Sequence, residues 1–340
     1  MDARTAESLL ELAEAMRPKL RGGDAKAAVE QFEERYEEWP NAMEWFGTAG
    51  RVDEAMQLAS ALVPFWMATK RLGDGLEQFG RVLALAGGDD NRRGRALYDA
   101  GYLAFWKGEY ERSGGFQKAA VELGRRANNP TVTALALVGL ARIALRSDVE
   151  EARRLCREAI AETEGTTDEA GRSGAMHVLG VAAQMAGDFV EARDVMSRRI
   201  GLARQKNDLY TVSSECGNLC MVERQLGNLE AAEALGAEAL EIDFRSGNEL
   251  AIPWKVNGLA AVAADRGEFD RAAVLVGIAD STMAAAGGSW PPDELAQYER
   301  TVAILTQAIG AAELDRARTA ARALATADAV AFALRGSTGV

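Results

Sequence analysis

Histidine and cysteine are scarce, with one His and three Cys in 340 residues. That count excludes His-rich metal centres and four-cysteine zinc modules. Proline is also scarce, at seven residues, so long helices can run unbroken. Positive charge is outnumbered: 39 Lys and Arg face 51 Asp and Glu, a formal net charge of −12. A protein that tracks a phosphate backbone needs a basic surface, so no direct nucleic-acid partner is expected. The pairs Arg92-Arg93, Arg125-Arg126 and Arg198-Arg199 each have acids nearby and form no basic stripe. No apolar run is long enough to span a bilayer, and the first residues are acidic and polar, unlike a secretory leader. These absences predict no membrane partner and a reduced, cytoplasmic setting. No Gly-x-x-x-x-Gly-Lys-Ser/Thr loop occurs, which excludes phosphate cradling of that kind. No cofactor and no metal are expected.

Ala, Leu, Glu and Arg dominate what remains, and all four suit helices. Short segments recur along the chain: KGEYERS at 107–113, RSDVEEA at 146–152, AGDFVEA at 186–192, LGNLEAA at 226–232 and RGEFDRA at 266–272. Their turn residues are Gly108, Ser147, Gly187, Gly227 and Gly267, spaced 39, 40, 40 and 40 apart. Gly can stop a helix in the left-handed conformation. The polar residue after it (Glu109, Asp148, Asp188, Asn228, Glu268) suits the next helix start. An apolar residue comes next (Tyr110, Val149, Phe189, Leu229, Phe269), and three further on a small one (Ser113, Ala152, Ala192, Ala232, Ala272). The small residue lets two helices approach closely. The unit is therefore a helical hairpin followed by a longer connection, as at Gln205–Asp208 or Ser246–Glu249.

Stacked hairpins share a core that none could bury alone. The expected fold is all-α, a right-handed superhelical solenoid of antiparallel helix pairs with no sheet. One continuous domain is expected in three parts. Residues 1–90 form an irregular helical N-terminal cap, crowded with Trp39, Trp45, Phe46, Phe65 and Trp66, where Gly50 and Gly73 end helices. Residues 91–286 hold five pairs, at about 91–127, 130–164, 168–206, 208–246 and 249–286. Residues 287–340 form C-terminal capping helices at 292–309, 311–323 and 326–335, after a break at Gly287–Pro292 and before a frayed tail from Gly336.

The fragment LGVAAQMAGDFVEA (179–192), with its Leu-Gly, Gly-Asp-aromatic and Ala order, resembles a tetratricopeptide repeat. The 40-residue period exceeds the usual ~34 of that family. The intact internal motif places the extra length in the connections. A second resemblance covers nearly the whole chain. LAEAMRPKLRGGDAKAAVEQFEERYEEWPNAMEW (12–45, with Glu38 and Asn41), VGIADSTMAAAGGSWPPDELAQYERTVAILTQAIG (276–310) and DAVAFAL (328–334) look like parts of large bacterial regulators. These are the signal-transducing ATPases with LuxR-type or winged-helix DNA-binding domains, whose C-terminal half is a helical-repeat sensor. The resemblance implies a sensor region, free-standing or excised, without the ATPase and DNA-binding modules.

The tetratricopeptide resemblance also implies which positions of each first helix face inward, counted from the unit's own turn. These are Arg95, Tyr98, Tyr102, Phe105 and Trp106 in the first unit, and His177, Gln184 and Met185 in the third. They are Met221, Arg224 and Gln225 in the fourth, and Trp254, Asn257 and Asp265 in the fifth. The second unit has one residue fewer before its turn and stays unassigned. The candidate ligand-binding set is Tyr98, Tyr102, Phe105, Trp106, His177, Gln184, Met221, Arg224, Trp254 and Asn257. Together they would form one concave cavity with aromatic walls and polar anchors. The competing reading packs the four aromatics of the first unit against the N-terminal cap. His177 has no evident catalytic partner in the sequence. Cys216 and Cys220 share a helical face and read as buried small hydrophobes, because with His177 they offer zinc only three soft ligands. The expected function is a non-enzymatic interaction or sensor module that binds a peptide, a protein or a small hydrophobic effector, in bacterial signalling or transcriptional control. The alternative is a small-molecule binder or enzyme of specialised metabolism on the same scaffold. Self-association through a cap stays open.

Overall fold

A computed structural model describes residues 1–21, 25–166, 169–285, 290 and 292–335. Among the described residues there are α-helices and two short 3-10 segments, and no strand. Contacts divide the chain into two compact units, Met1–Ala182 and Ala183–Val340. The first holds α1 (Ala3–Met16), α2 (Ala25–Glu34), α3 (Glu38–Thr48), α4 (Val52–Ala68), α5 (Leu72–Leu83), α6 (Asp90–Trp106), α7 (Tyr110–Arg126), α8 (Pro130–Ala144), α9 (Val149–Glu162) and most of α10 (Glu169–Met185). The second holds α11 (Phe189–Gln205), α12 (Leu209–Gln225), α13 (Leu229–Arg245), α14 (Ile252–Asp265), α15 (Phe269–Ala285), α16 (Pro292–Ile309), α17 (Ala311–Ala321) and α18 (Thr326–Leu334).

The turn chemistry explains the hairpins. Gly108, Gly187, Gly227 and Gly267 all have positive φ, between 76° and 86°. The apolar residue two positions on opens the second helix of each pair, at Tyr110, Val149, Phe189, Leu229 and Phe269. Asp148 and Asp188 accept hydrogen bonds from Glu151 N and Glu191 N and so cap α9 and α11. The connections at 127–129 and 206–208 are as tight as the turns within pairs, contrary to the expected longer linkers. The connection from α13 to α14, at 246–251, is longer as expected and holds a 3-10 turn at Glu249–Ala251. Asn128 and Asn207 take φ of 50° and 56°, and Gly247 takes 71°. Asp208 then caps α12 through Thr211 N. Helices α11, α12 and α13 are each 17 residues long, with three-residue turns between them. From α11 to α13 the 40-residue period is thus built from long helices, not long connections.

Gly73 lies inside α5, not at a helix end. The preceding helix stops at Lys70, whose φ is 58°, a conformation that sequence reasoning reserves for Gly, Asn or Asp. The break expected at Gly287–Pro292 and the tail from Gly336 lie outside the described residues, apart from Trp290 and the start of α16. Trp290 stacks on Tyr298 with ring centroids 5.3 Å apart.

Ser113, Ala152, Ala192, Ala232 and Ala272 have no exposed surface. Ala232 packs with Cys220 of α12 and Val262 of α14. Ala232→Leu should therefore overpack that junction and cost about 1–3 kcal/mol. A thermal melt unchanged within error would contradict this packing.

In the first unit, the N-terminal helices close over a dense aromatic core. Phe32, Phe46, Phe65 and Phe79 are fully buried, and Trp39 and Trp66 nearly so. The Phe32 and Phe65 rings stack at 5.3 Å, and Trp39 Nε1 donates to the Phe32 carbonyl at 3.0 Å.

Candidate functional site

In the first unit, α6 carries a run of aromatic residues at helical spacing. Tyr98 and Tyr102 lie one turn apart and stack at 6.2 Å. Tyr102 meets Trp106 edge-on at 6.1 Å. Phe105 joins Trp106 at 5.6 Å and, across the hairpin turn, Tyr110 of α7 at 5.6 Å. These rings touch their neighbours in one continuous ladder. Trp106, the last residue of α6, is 52% exposed, which rules it out as a cap-core residue. Tyr98, Tyr102 and Phe105 are half-buried. Tyr102 packs against the N-terminal core on one side. Tyr102 is thus anchored against the core, and Trp106 stands clear of it. Burial pushes the Tyr98 phenol above its ordinary pKa.

Three arginines stand over these rings. Arg95 lies 5.5 Å from the Tyr98 ring and binds Asp99 at 2.8 Å. Arg142, from the last turn of α8, lies 5.7 Å from the Tyr102 ring. Arg146, just past α8, lies 3.9 Å from the Tyr110 ring. Close packing of α6, α7 and α8 makes this reach possible. Gln117 of α7 sits between Gly101 of α6 and Gly139 of α8, where any Cβ would come within about 2.5 Å of its amide. Gln117 Nε2 donates to the Tyr98 carbonyl at 3.2 Å. Sequence reasoning missed Arg142 and Arg146 because they belong to the unit whose shortened spacing left it unassigned.

The second unit presents its predicted residues differently. Arg224 is 6% exposed and donates to Asp265 through Nε at 2.7 Å, joining α12 to α14. Its charge is neutralised by a partner 41 residues along the chain, about one repeat away, so a ligand would have to compete with Asp265. Met221 and Trp254 are half-buried. Asn257 has no exposed surface, so an external partner cannot touch it in this conformation. Gln184 is half-buried, and its carbonyl accepts from Gly187 N at 3.0 Å in the hairpin turn. His177, which belongs to the first unit, is half-buried on α10.

Buried polar pairs lock the second unit. Glu215 of α12 has no exposed side-chain surface and binds Arg199 of α11. Glu233 of α13 is held by Arg266 and Arg271. Cys216 and Cys220 are buried, and desolvation pushes both thiols up to about 12, as it does Cys156 in the first unit. At neutral pH such thiols are protonated and poor nucleophiles. Among the described residues, no group of three or more His, Cys, Asp or Glu is placed to hold a metal ion. No helix among them is long and apolar enough to cross a membrane.

The architecture has solved counterparts. A Rap protein complexed with Competence and Sporulation Factor aligns over 98% of this chain and 97% of its own, with a TM-score of 0.58 at 13% identity. The fold is tetratricopeptide-like. The apo form of RapI aligns over 93% of this chain and 86% of its own, with a TM-score of 0.59 at 10% identity. BtubC from P. vanneervenii aligns over 64% of this chain and 92% of its own, with a TM-score of 0.55 at 17% identity. At such identities the likeness concerns the fold alone. No family model and no curated protein matches the sequence.

Proposed function

We propose that the chain is a non-enzymatic interaction module that binds a peptide or protein segment along the aromatic ladder of α6. The observation that carries this reading is the exposure of Trp106, the last residue of α6, within a series of rings that are otherwise half-buried. An indole half out of the fold offers a large apolar area to a partner at low entropic cost. Tyr98 and Tyr102 extend that surface, and their hydroxyls can donate to a peptide backbone. One of the solved counterparts is complexed with Competence and Sporulation Factor, which supports a binding role for the scaffold. In the second unit, Met221, Trp254 and the Arg224–Asp265 pair form a lesser candidate, since much of their chemistry is already satisfied within the fold. The resemblance of residues 12–45 and 276–310 to the sensor half of bacterial regulators supports signalling or transcriptional control as the setting, in the cytoplasm.

Selection of displayed random peptides on the full chain tests the reading. Retained peptides should lose at least tenfold in affinity on Trp106→Ala. Retention of the same peptides with unchanged affinity by the variant would overturn it.

A further inference from the structure

We infer that the α6 ladder selects acidic peptides, with Arg142 and Arg146 receiving two carboxylates spaced as in Glu-x-Glu on an extended segment. This inference rests on the ladder being the binding face.

In a chain of net charge −12, arginines readily find acids. Around this face Arg95 holds Asp99, Arg112 holds Glu109 and Arg125 holds Glu158. Among the described residues neither the Arg142 nor the Arg146 guanidinium makes a hydrogen bond or ion pair, although Arg146 N donates to the Ile143 carbonyl. Each rests its guanidinium near a tyrosine ring instead. At 3.9 Å from the ring centroid the Arg146 guanidinium has room only to rest against the face of Tyr110, which leaves its N–H groups to grip a carboxylate with two parallel bonds, while Arg142 holds its guanidinium 5.7 Å from the Tyr102 ring. The ring also fixes the side chain beforehand, so less rotamer freedom is lost on binding. Placement at the end of α8 complements the helix dipole as well. That role calls for positive charge but not for two arginines laid over the tyrosines of a neighbouring hairpin.

Spacing narrows the ligand. Arg142 lies in the last turn of α8 and Arg146 four residues on, in the turn just past it. There Leu145 keeps right-handed helical backbone and Arg146 N still donates to the Ile143 carbonyl, so the two Cβ atoms are one turn, roughly 5–6 Å, apart. An extended peptide advances about 3.3 Å per residue and points alternate side chains the same way. Acids two positions apart therefore lie roughly 6.6 Å apart on one side. The intervening residue faces away, and an apolar residue beyond the pair would reach Trp106.

The test uses two immobilised decapeptide libraries, randomised except for a central Glu-x-Glu in one and Gln-x-Gln in the other, with the full chain passed over both. General electrostatics favour the neutral library, because the chain is itself acidic. The expected result is at least tenfold greater retention on Glu-x-Glu. In Arg142→Gln/Arg146→Gln that ratio should fall to about one, with retention on Gln-x-Gln unchanged. Arg146→Gln alone, at an exposed position, should lower the ratio even where Arg142→Gln disturbs folding; an unchanged ratio in that variant would overturn the inference. Equal retention on both libraries, lost in Trp106→Ala, would overturn acid selection and leave the binding face standing. Retention on neither library, or retention indifferent to Trp106→Ala, would overturn both.

Discussion

Arg199→Met should be among the most destabilising single changes in the second unit, at about 3–5 kcal/mol. The reason lies in its partner more than in Arg199 itself. Glu215 sits on α12 with no exposed side-chain surface, and Arg199 of α11 lies against its carboxylate. Removing the cation leaves a carboxylate in low-dielectric surroundings with its main counter-charge gone. Glu215→Gln with Arg199→Met should recover much of the loss, because the amide carries no charge to desolvate. Denaturant melts of the single and double variants check this. A loss below about 1 kcal/mol for Arg199→Met would show that water or another group compensates Glu215.

The second large effect separates the core aromatics from the ladder. Phe46 has no exposed surface and lies edge-on to Trp45. Phe46→Ala should cost about 3–5 kcal/mol, through lost transfer energy and the cavity left behind. Trp106→Ala removes a larger side chain yet should cost about 1 kcal/mol or less. Its ring is 52% exposed and loses little beyond its edge contacts with Tyr102 and Phe105. Thermal melts of the two variants check the contrast. Similar losses for both would mean that Trp106 belongs to the core after all.

The repeat was legible because its punctuation is local. A glycine at positive φ, a capping residue and a small residue at fixed offsets each have a physical cause within a few positions. They located the helix starts at Phe189, Leu229 and Phe269 and the buried Ala192, Ala232 and Ala272. The connections at 127–129 and 206–208 were misread because Asn128 and Asn207 do the work of glycine there. Lys70 escaped notice for the same reason, since nothing in a lysine announces a positive φ.

The site was less legible. Counting from each turn gathered Tyr98, Tyr102, Phe105 and Trp106 onto one run of rings, because all four lie on a single helix. The same count also gathered Asn257, which is buried, and Arg224, which is engaged by Asp265. Helical position predicts which way a residue points but not how closely the next helix covers it. Arg142 and Arg146 reach the ladder from another hairpin, and only the packing of α8 beside α6 and α7 reveals them.

Calorimetric titration of a peptide retained by the Glu-x-Glu library, against the full chain and Trp106→Ala, tests the central claim most directly. The binding face described here predicts at least tenfold weaker binding in the variant, with a melting temperature within a few degrees of the parent. Equal affinity for both proteins would contradict it.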